Sequence, residues 1–442
     1  MHPTADSPLA LAHTGAQVQA RLAQRLLQWL AFSILGTVFV LPSAAAASFV
    51  LLLAVAALVV VSADGRRRFA AMFADADERW LAWPFLAWLV AGIVVSLSAS
   101  APFHTVLPDN SLRFVIAMCV LALPCRTGLA PAWLYWSLPA AALAAGAHAL
   151  YGAYWLQVWR VKGWTNNEIY FGNLAALVCV LLVIVALMAR AMRWQLRLLF
   201  LACAPLAAFA SVASGSRSSA LALLVLVPVL FMGRKGSLHR RLALVVAASL
   251  ALATALIAAS PALQQKLRIT ELTADLEQAR AQEYGTSLGS RMEMWRAAID
   301  MFEREPLVGV GPKRFAAELE HRMQTGQTAL LPRFSQAHSQ LLHAAATGGI
   351  VLVLGYLGLV AGPLVFFARH LRSAAGDQER RLHAVLGLAV VLAFLLFGLT
   401  NAVFDLQVYS MVYPLLLCVL AVLLRPSARA ASAAARPRSP AL

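Results

Sequence analysis

The sequence predicts an all-α integral membrane protein with about 12 transmembrane helices, and three observations predict it. Of its 442 residues, 61% are hydrophobic and 13% charged, roughly 270 apolar side chains in all. A spanning helix needs about 20 such residues, so the composition supplies about a dozen. The apolar runs recur at spanning length, and the mean hydropathy is +0.73. The arginines collect at alternate run ends. A soluble globular enzyme and a disordered chain are both excluded. The net charge of +16 would suggest nucleic acid in a soluble protein. Here its distribution reads as membrane topology, and no nucleic-acid partner is expected.

Taken in order, the spans fall near 26–42, 44–62, 81–98, 111–125, 131–156, 170–189, 198–214, 218–232, 242–260, 339–368, 382–400 and 408–424. The first follows Arg21 and Arg25 with no cleavage site, so it reads as a retained helix. The run from 339 is long, and Gly348-Gly349 is expected to break it. Four regions follow: spans 1–9 over 1–260, a polar helical loop over 261–337, spans 10–12 over 338–424, and a basic tail over 425–442.

The loops orient the chain. Even-numbered spans end at Arg66-Arg67-Arg68, Arg126, Arg190/Arg193/Arg197, Arg234-Lys235 with Arg240-Arg241, Arg369/Arg372 with Arg380-Arg381, and the tail. With Arg21, Arg25 and Arg79, 22 basic residues and seven acidic ones share one side, a balance of +15. The other side holds 14 and 13, a balance of +1. The positive-inside rule makes the first side cytoplasmic and places both termini there.

The loop 261–337 is on the opposite, outer side. It is about 77 residues long, too long for a simple connector. Helical stretches are expected at 262–282, 291–304 and 313–324, with Pro306 and Gly309-Val310-Gly311-Pro312 as a turn. A loop of this size suits an enzyme with a site at the outer interface. No internal repeat and almost no mid-span charge are present, which counts against a transporter or pump.

Three outer-face positions put cations at helix starts. Ser214-Gly215-Ser216-Arg217-Ser218-Ser219 opens span eight with its amides outward, where Arg217 adds charge to the dipole's positive end. Gly289-Ser290-Arg291-Met292-Glu293 has a capping-box pattern with Arg291 as the first helical residue, suited to phosphate. An amphipathic face of Met294, Trp295, Ala298, Ile299 and Phe302 follows. Gln336-Ala337-His338-Ser339-Gln340 opens span ten, and His338 could act as a general base. The bland readings are an interfacial arginine capping a turn, an arginine paired with Glu293 or Glu283, and a capping histidine. His343, about 140° around the helix from His338, makes no metal pair with it.

Other motifs fail on position. Asp75-Ala76-Asp77 lies on the cytoplasmic side and reads as a solvated acidic turn. The five cysteines sit in or beside apolar runs without a C-x-x-C pair, so they read as small buried hydrophobes. Few outer-face acids lie near the spans, Asp109, Glu168 and Asp405, so a metal-dependent carboxylate mechanism has little support. No metal and no cofactor are expected.

The order of these features resembles the O-antigen ligase/polymerase family of bacterial envelope glycosyltransferases. Ser214–Ala220 resembles its S-x-S-R-[ST] turn. Arg291-Met292-Glu293-Met294-Trp295-Arg296-Ala297-Ala298 through Pro306-Leu307-Val308-Gly309-Val310-Gly311 resembles its R-x-x-x-W-x-x-A…P-x-x-G-x-G block. His338-Ser339-Gln340-Leu341-Leu342 resembles H-N-x-x-L, with Ser339 in place of Asn and Thr347 where an acid is common. Arg160…Gly163 with Asn166-Asn167 resembles a further patch.

The resemblance implies a GT-C-like enzyme of the bacterial inner membrane with a periplasmic active site. Its donor would be an undecaprenyl diphosphate-linked glycan and its acceptor a lipid A–core hydroxyl, joined by a metal-independent inverting transfer. Arg217 and Arg291 would bind the diphosphate, with Arg160, Ser216 and Ser218 as additional contacts. His338 would take the acceptor proton or help hold the diphosphate. An O-antigen polymerase and a protein O-oligosaccharyltransferase are the family's other activities. A membrane transporter is the reading outside it.

Overall fold

The computed structural model describes residues 8–40, 44–99, 109–123, 129–158, 160–165, 167–225, 287–329, 331 and 334–425. Regular structure among them is helical. The first half comprises α1 (Pro8–Gly36), α2 (Ala44–Val61), α3 (Ala63–Ala71), α4 (Arg79–Ser98), α5 (Asp109–Ala122), α6 (Ala132–Leu150), α7 (Glu168–Met188), α8 (Trp194–Ala213) and α9 (Arg217–Leu223). The second comprises α10 (Ser287–Arg304), α11 (Phe315–Gln324), α12 (Gln340–Ser373), α13 (Gln378–Gly398) and α14 (Gln407–Leu424). The predicted stretch 262–282 and the span near 242–260 lie outside the described residues, as do Cys125 and the basic tail.

Side-chain caps set several helix starts. Asn167 Oδ1 accepts the Ile169 and Tyr170 amides at 2.8 and 3.3 Å and opens α7. Asp377 Oδ1 accepts the Arg380 amide at 3.0 Å and opens α13. Each satisfies amides that the helix itself leaves unpaired.

Six described helices are long and apolar enough to cross a membrane: α4, α7, α8, α12, α13 and α14. The bent pair α2–α3, which turns through 99°, would make seven. This multi-pass character agrees with the sequence, but the count among described residues falls short of twelve. The shortfall has physical reasons. Helix α5 has 14 residues, a rise of about 21 Å against a hydrocarbon core of about 30 Å. Helix α6 interleaves Trp, Tyr, Ser, Pro and His with its alanines and leucines. Helix α9 is described over seven residues, next to the undescribed segment.

Helix α7 is the centre of the bundle: 94% of its most apolar window is buried, against 33% for α8. Helices α8, α9, α6 and α13 pack around it, while α12 runs beside α4 and α14 beside α5. Ion pairs fix which ends meet. Asp77 accepts from Arg369 at 3.2 Å and Glu78 from Arg425 at 2.8 Å, joining the start of α4 to the ends of α12 and α14. At the far end, Asn110 donates to the Asp405 carbonyl at 2.6 Å, and Arg113 to the Gln407 carbonyl at 3.1 Å. The acidic turn at 75–77 and the segment around His338 therefore occupy opposite ends of the bundle. The turn is not merely solvated, because Asp77 pairs with Arg369 and Asp75 Oδ1 accepts the Asp77 and Glu78 amides.

Candidate functional site

Helices α10 and α11 build a small second core over the start of α12. Met294, Ala297, Ala298 and Met301 line one face of α10 and meet Phe315, Leu319, Ala337 and Ala346. Burying a side chain such as Met301 or Phe315 contributes about 1.5–3 kcal/mol, so the core is strong enough to seat a polar segment. The inner face differs from the sequence expectation: Ile299 is 44% exposed. The positions 294, 297, 298 and 301 follow the i, i+3, i+4, i+7 spacing, and Ile299 falls off that stripe.

The chain between α10 and α11 docks onto α12 at its break. Gly349 has φ 57° and ψ −153°, a non-helical conformation inside α12 that frees its carbonyl and amide neighbours. The freed groups are taken up by the turn: the Val310 amide donates to the Ala346 carbonyl at 2.9 Å, and the Ile350 amide to the Pro306 carbonyl at 2.8 Å. A Cβ on Gly309 would lie 2.5 Å from the Ala346 oxygen, and one on Gly349 would overlap the Leu307 carbonyl. Gly309 and Gly349 thus serve one contact, a backbone-to-backbone approach that side chains would block.

Trp295 connects this platform to His338. Its indole N–H donates to the Ala337 carbonyl at 2.9 Å. On the other side, Gln336 Oε1 accepts the Ala402 amide and Gln340 Oε1 the Phe404 amide, both at 2.8 Å. The segment 336–340 is therefore tied to α10 and to the α13–α14 turn at once. Phe404 secures that turn by packing its ring on Phe114 at 5.4 Å and Tyr413 at 5.0 Å.

His338 adopts φ 49°, left-handed for a non-glycine residue, a conformation that persists only where its surroundings hold it. Its ring packs edge-on to Phe334 at 5.7 Å. Nδ1 is buried without a hydrogen-bond partner. Burial, with the Arg291 charge behind it, pushes the imidazole down to about 4, against a hydrogen bond with the Thr400 backbone that favours the charged form. At neutral pH the ring is uncharged and can accept a proton. The structure thus brings His338 and Arg291 into one electrostatic neighbourhood.

Arg291 is positioned differently from the sequence expectation. The chain is already helical at Ser287, the first described residue of this segment, so Arg291 lies at least one turn inside α10 rather than at its first residue. Glu293, expected to close a capping box, turns its carboxylate to the Ala329 amide at 3.2 Å and to Arg296 at 3.3 Å.

The serine turn forms a second locus. Ser214 is fully buried and presses onto α7, where a Cβ on Gly172 would overlap its Oγ. Ser216 and Ser218 share a hydrogen bond at 2.8 Å, and Ser218 donates to Asn173 at 3.0 Å. These hydroxyls hold the turn's shape. Helix α9 starts at Arg217 as expected, and the Arg217 side chain lies outside the described residues. Arg160 joins this locus: its Nε donates to the Ser214 carbonyl at 3.4 Å, and it pairs with Glu168 at 2.8 Å. Asn166, from the same patch, lies outside the described residues, and Asn167 serves as the α7 cap.

One pairing had no signal in the sequence. His343 Nε2 lies 3.4 Å from Asp405 Oδ2, across 62 residues of chain. Burial raises the Asp405 carboxyl, but the hydrogen bond and charge of His343, with Lys313, hold it below its ordinary value. The four described cysteines, Cys119, Cys179, Cys203 and Cys418, are buried as small apolar side chains.

An uncharacterized protein of Haemophilus influenzae is 22% identical over 295 residues, which cover 65% of this chain and 72% of that protein. Residues 202–357 match the family model described as O-Antigen ligase. The match begins in α8, takes in the serine turn, α10 and α11, and ends in α12 beyond the Gly349 break, so it encloses Arg217, Arg291 and His338. Members of that family are ligases and polymerases that transfer glycans, and over residues 202–357 this multi-pass membrane protein is similar to the O-antigen ligase family.

Proposed function

We propose that the protein is an O-antigen ligase, transferring a glycan from undecaprenyl diphosphate to a lipid A–core hydroxyl at the periplasmic face of the inner membrane. The observation that carries this reading is His338, held neutral beside the Arg291 charge on a segment tied to three helices. In the reaction the acceptor oxygen forms a bond to the anomeric carbon, and the bond from that carbon to the diphosphate breaks. His338, neutral at rest, receives the acceptor proton. Arg291 and Arg217 stabilise the charge that develops on the departing diphosphate, the role a metal plays in other transferases. Arg160 and the Ser216–Ser218 turn shape the second half of that anion site. One displacement inverts the anomeric carbon.

The test is transfer by the purified full chain in nanodiscs, given lipid-linked glycan and lipid A–core. Lipopolysaccharide should form, and EDTA should leave the rate unchanged. His338→Ala, Arg291→Ala and Arg217→Ala should each abolish transfer while the protein still inserts in the membrane. Elongation of the donor glycan without lipid A–core would instead identify a polymerase, and transfer by His338→Ala at the wild-type rate would remove the proposed base.

A further inference from the structure

A cavity of about 300 Å³ lies at the end of the bundle opposite His338. It opens between the start of α6, the α7–α8 turn and the start of α13. The wall is apolar: Trp136, Met188, Met192, Phe200 and Leu382 line it. Tyr135, one of the lining residues, has its hydroxyl taken up by a 2.9 Å hydrogen bond with His383 Nε2. The exposed rim carries two charges of opposite sign, Arg190 and Glu379. Trp194 is 66% and Leu198 53% exposed on the adjoining face of α8, a surface suited to lipid.

These features select a ligand class. The volume is at the small end of ligand pockets, about 300–1,000 Å³, and its lining offers dispersion contacts and few hydrogen bonds. An alkyl chain fits such a lining, whereas a polar metabolite would lose its water without replacement. The rim adds a requirement for both signs of charge on one head group. Arginine recognises a phosphate through its planar fork, and a carboxylate recognises an ammonium group. The basic turn Arg190–Arg197 belongs to the side of the chain that carries the positive loops, where phospholipid head groups are within reach.

We propose that this cavity binds one membrane phospholipid, with an acyl chain packed against the Trp136, Phe200 and Leu382 wall and a phosphoethanolamine head held by Arg190 and Glu379. The site is independent of the glycan-transfer reading, since it shares no residue with the His338 region.

Native mass spectrometry of the delipidated full chain tests it, titrated with phosphatidylethanolamine or phosphatidylglycerol. One phosphatidylethanolamine should bind preferentially, by roughly fivefold, the upper range for an exposed ion pair. Arg190→Ala should weaken both lipids. Glu379→Gln should weaken phosphatidylethanolamine alone and so erase the preference, which a loss of folding would not do. Soluble glycerophosphoethanolamine should not compete. Equal binding of the two lipids by the wild type, or a preference unchanged in Glu379→Gln, would overturn the proposal. So would lipid binding that appears only after removal of residues 426–442, which would make the chain's own basic tail the occupant.

Discussion

His338 shows how little of a residue's chemistry its identity conveys. A histidine at a helix start is expected to titrate near 6.5, where it would be partly charged at neutral pH. Burial and Arg291 push it down to about 4. The unfolded chain then binds more protons than the folded one between about 4 and 6.5, so this group's contribution makes stability fall as pH drops through that window. The kcat/KM profile reports the free enzyme, and its acidic limb from His338 should lie well below pH 6. A limb centred at 6.5 that disappears in His338→Gln would show that the depressed value is wrong. Trp295 makes a second residue-scale case. The R-x-x-x-W spacing marks the tryptophan, but only the fold shows that its N–H donates to the Ala337 carbonyl. Trp295→Phe keeps most of the ring and orphans that carbonyl. It should cost about 1–3 kcal/mol, read as a lowered Tm in detergent, and slow transfer by misplacing His338. An unchanged Tm and rate would separate Trp295 from the site.

At the scale of elements, periodicity located the helices and missed their fine placement. The stretch 291–304 is helical, yet the helix is already formed at Ser287 and buries positions 294, 297, 298 and 301. Which face turns inward depends on Phe315, Leu319 and Ala346, residues of other helices, so a single helix's pattern could not choose between adjacent stripes. The break at Gly348-Gly349 was legible because paired glycines weaken a helix. What the break is for was not, since its partner is the turn 306–310. Gly309→Ala and Gly349→Ala should each destabilise the protein by at least about 1–3 kcal/mol from the left-handed backbone alone, with a further loss from the clashes with the Ala346 and Leu307 carbonyls. Gly326 has φ 70° and open space, with no atom within 4 Å of where a Cβ would stand, so it isolates the conformational part. Thermal unfolding of the three alanine variants should place Gly326→Ala nearest the wild type. Equal losses at all three would mean that the docking contact adds nothing.

At the scale of the whole molecule, the two ends of the bundle are chemically distinct. One gathers Asp77, Glu78, Arg369 and Arg425 into ion pairs. The other gathers His338, Arg291, His343 and Asp405. In a cysteine-free background, Glu305→Cys and Ser335→Cys should react with an impermeant maleimide in intact spheroplasts. Arg66→Cys and Gly376→Cys should react only after permeabilisation. The reverse pattern would invert the topology and move the site to the cytoplasm. The class of molecule follows from composition and order alone, because apolar mass, span-length runs and arginine-rich loop ends are properties that simply add along the chain. The sequence also located the motif residues Arg217, Arg291 and His338. The tertiary structure alone decided how α10, the α13–α14 turn and the break in α12 converge on His338, and how Asp405 meets His343. Those contacts join residues 36 to 66 positions apart, and their geometry is set by packing between helices that no local pattern records.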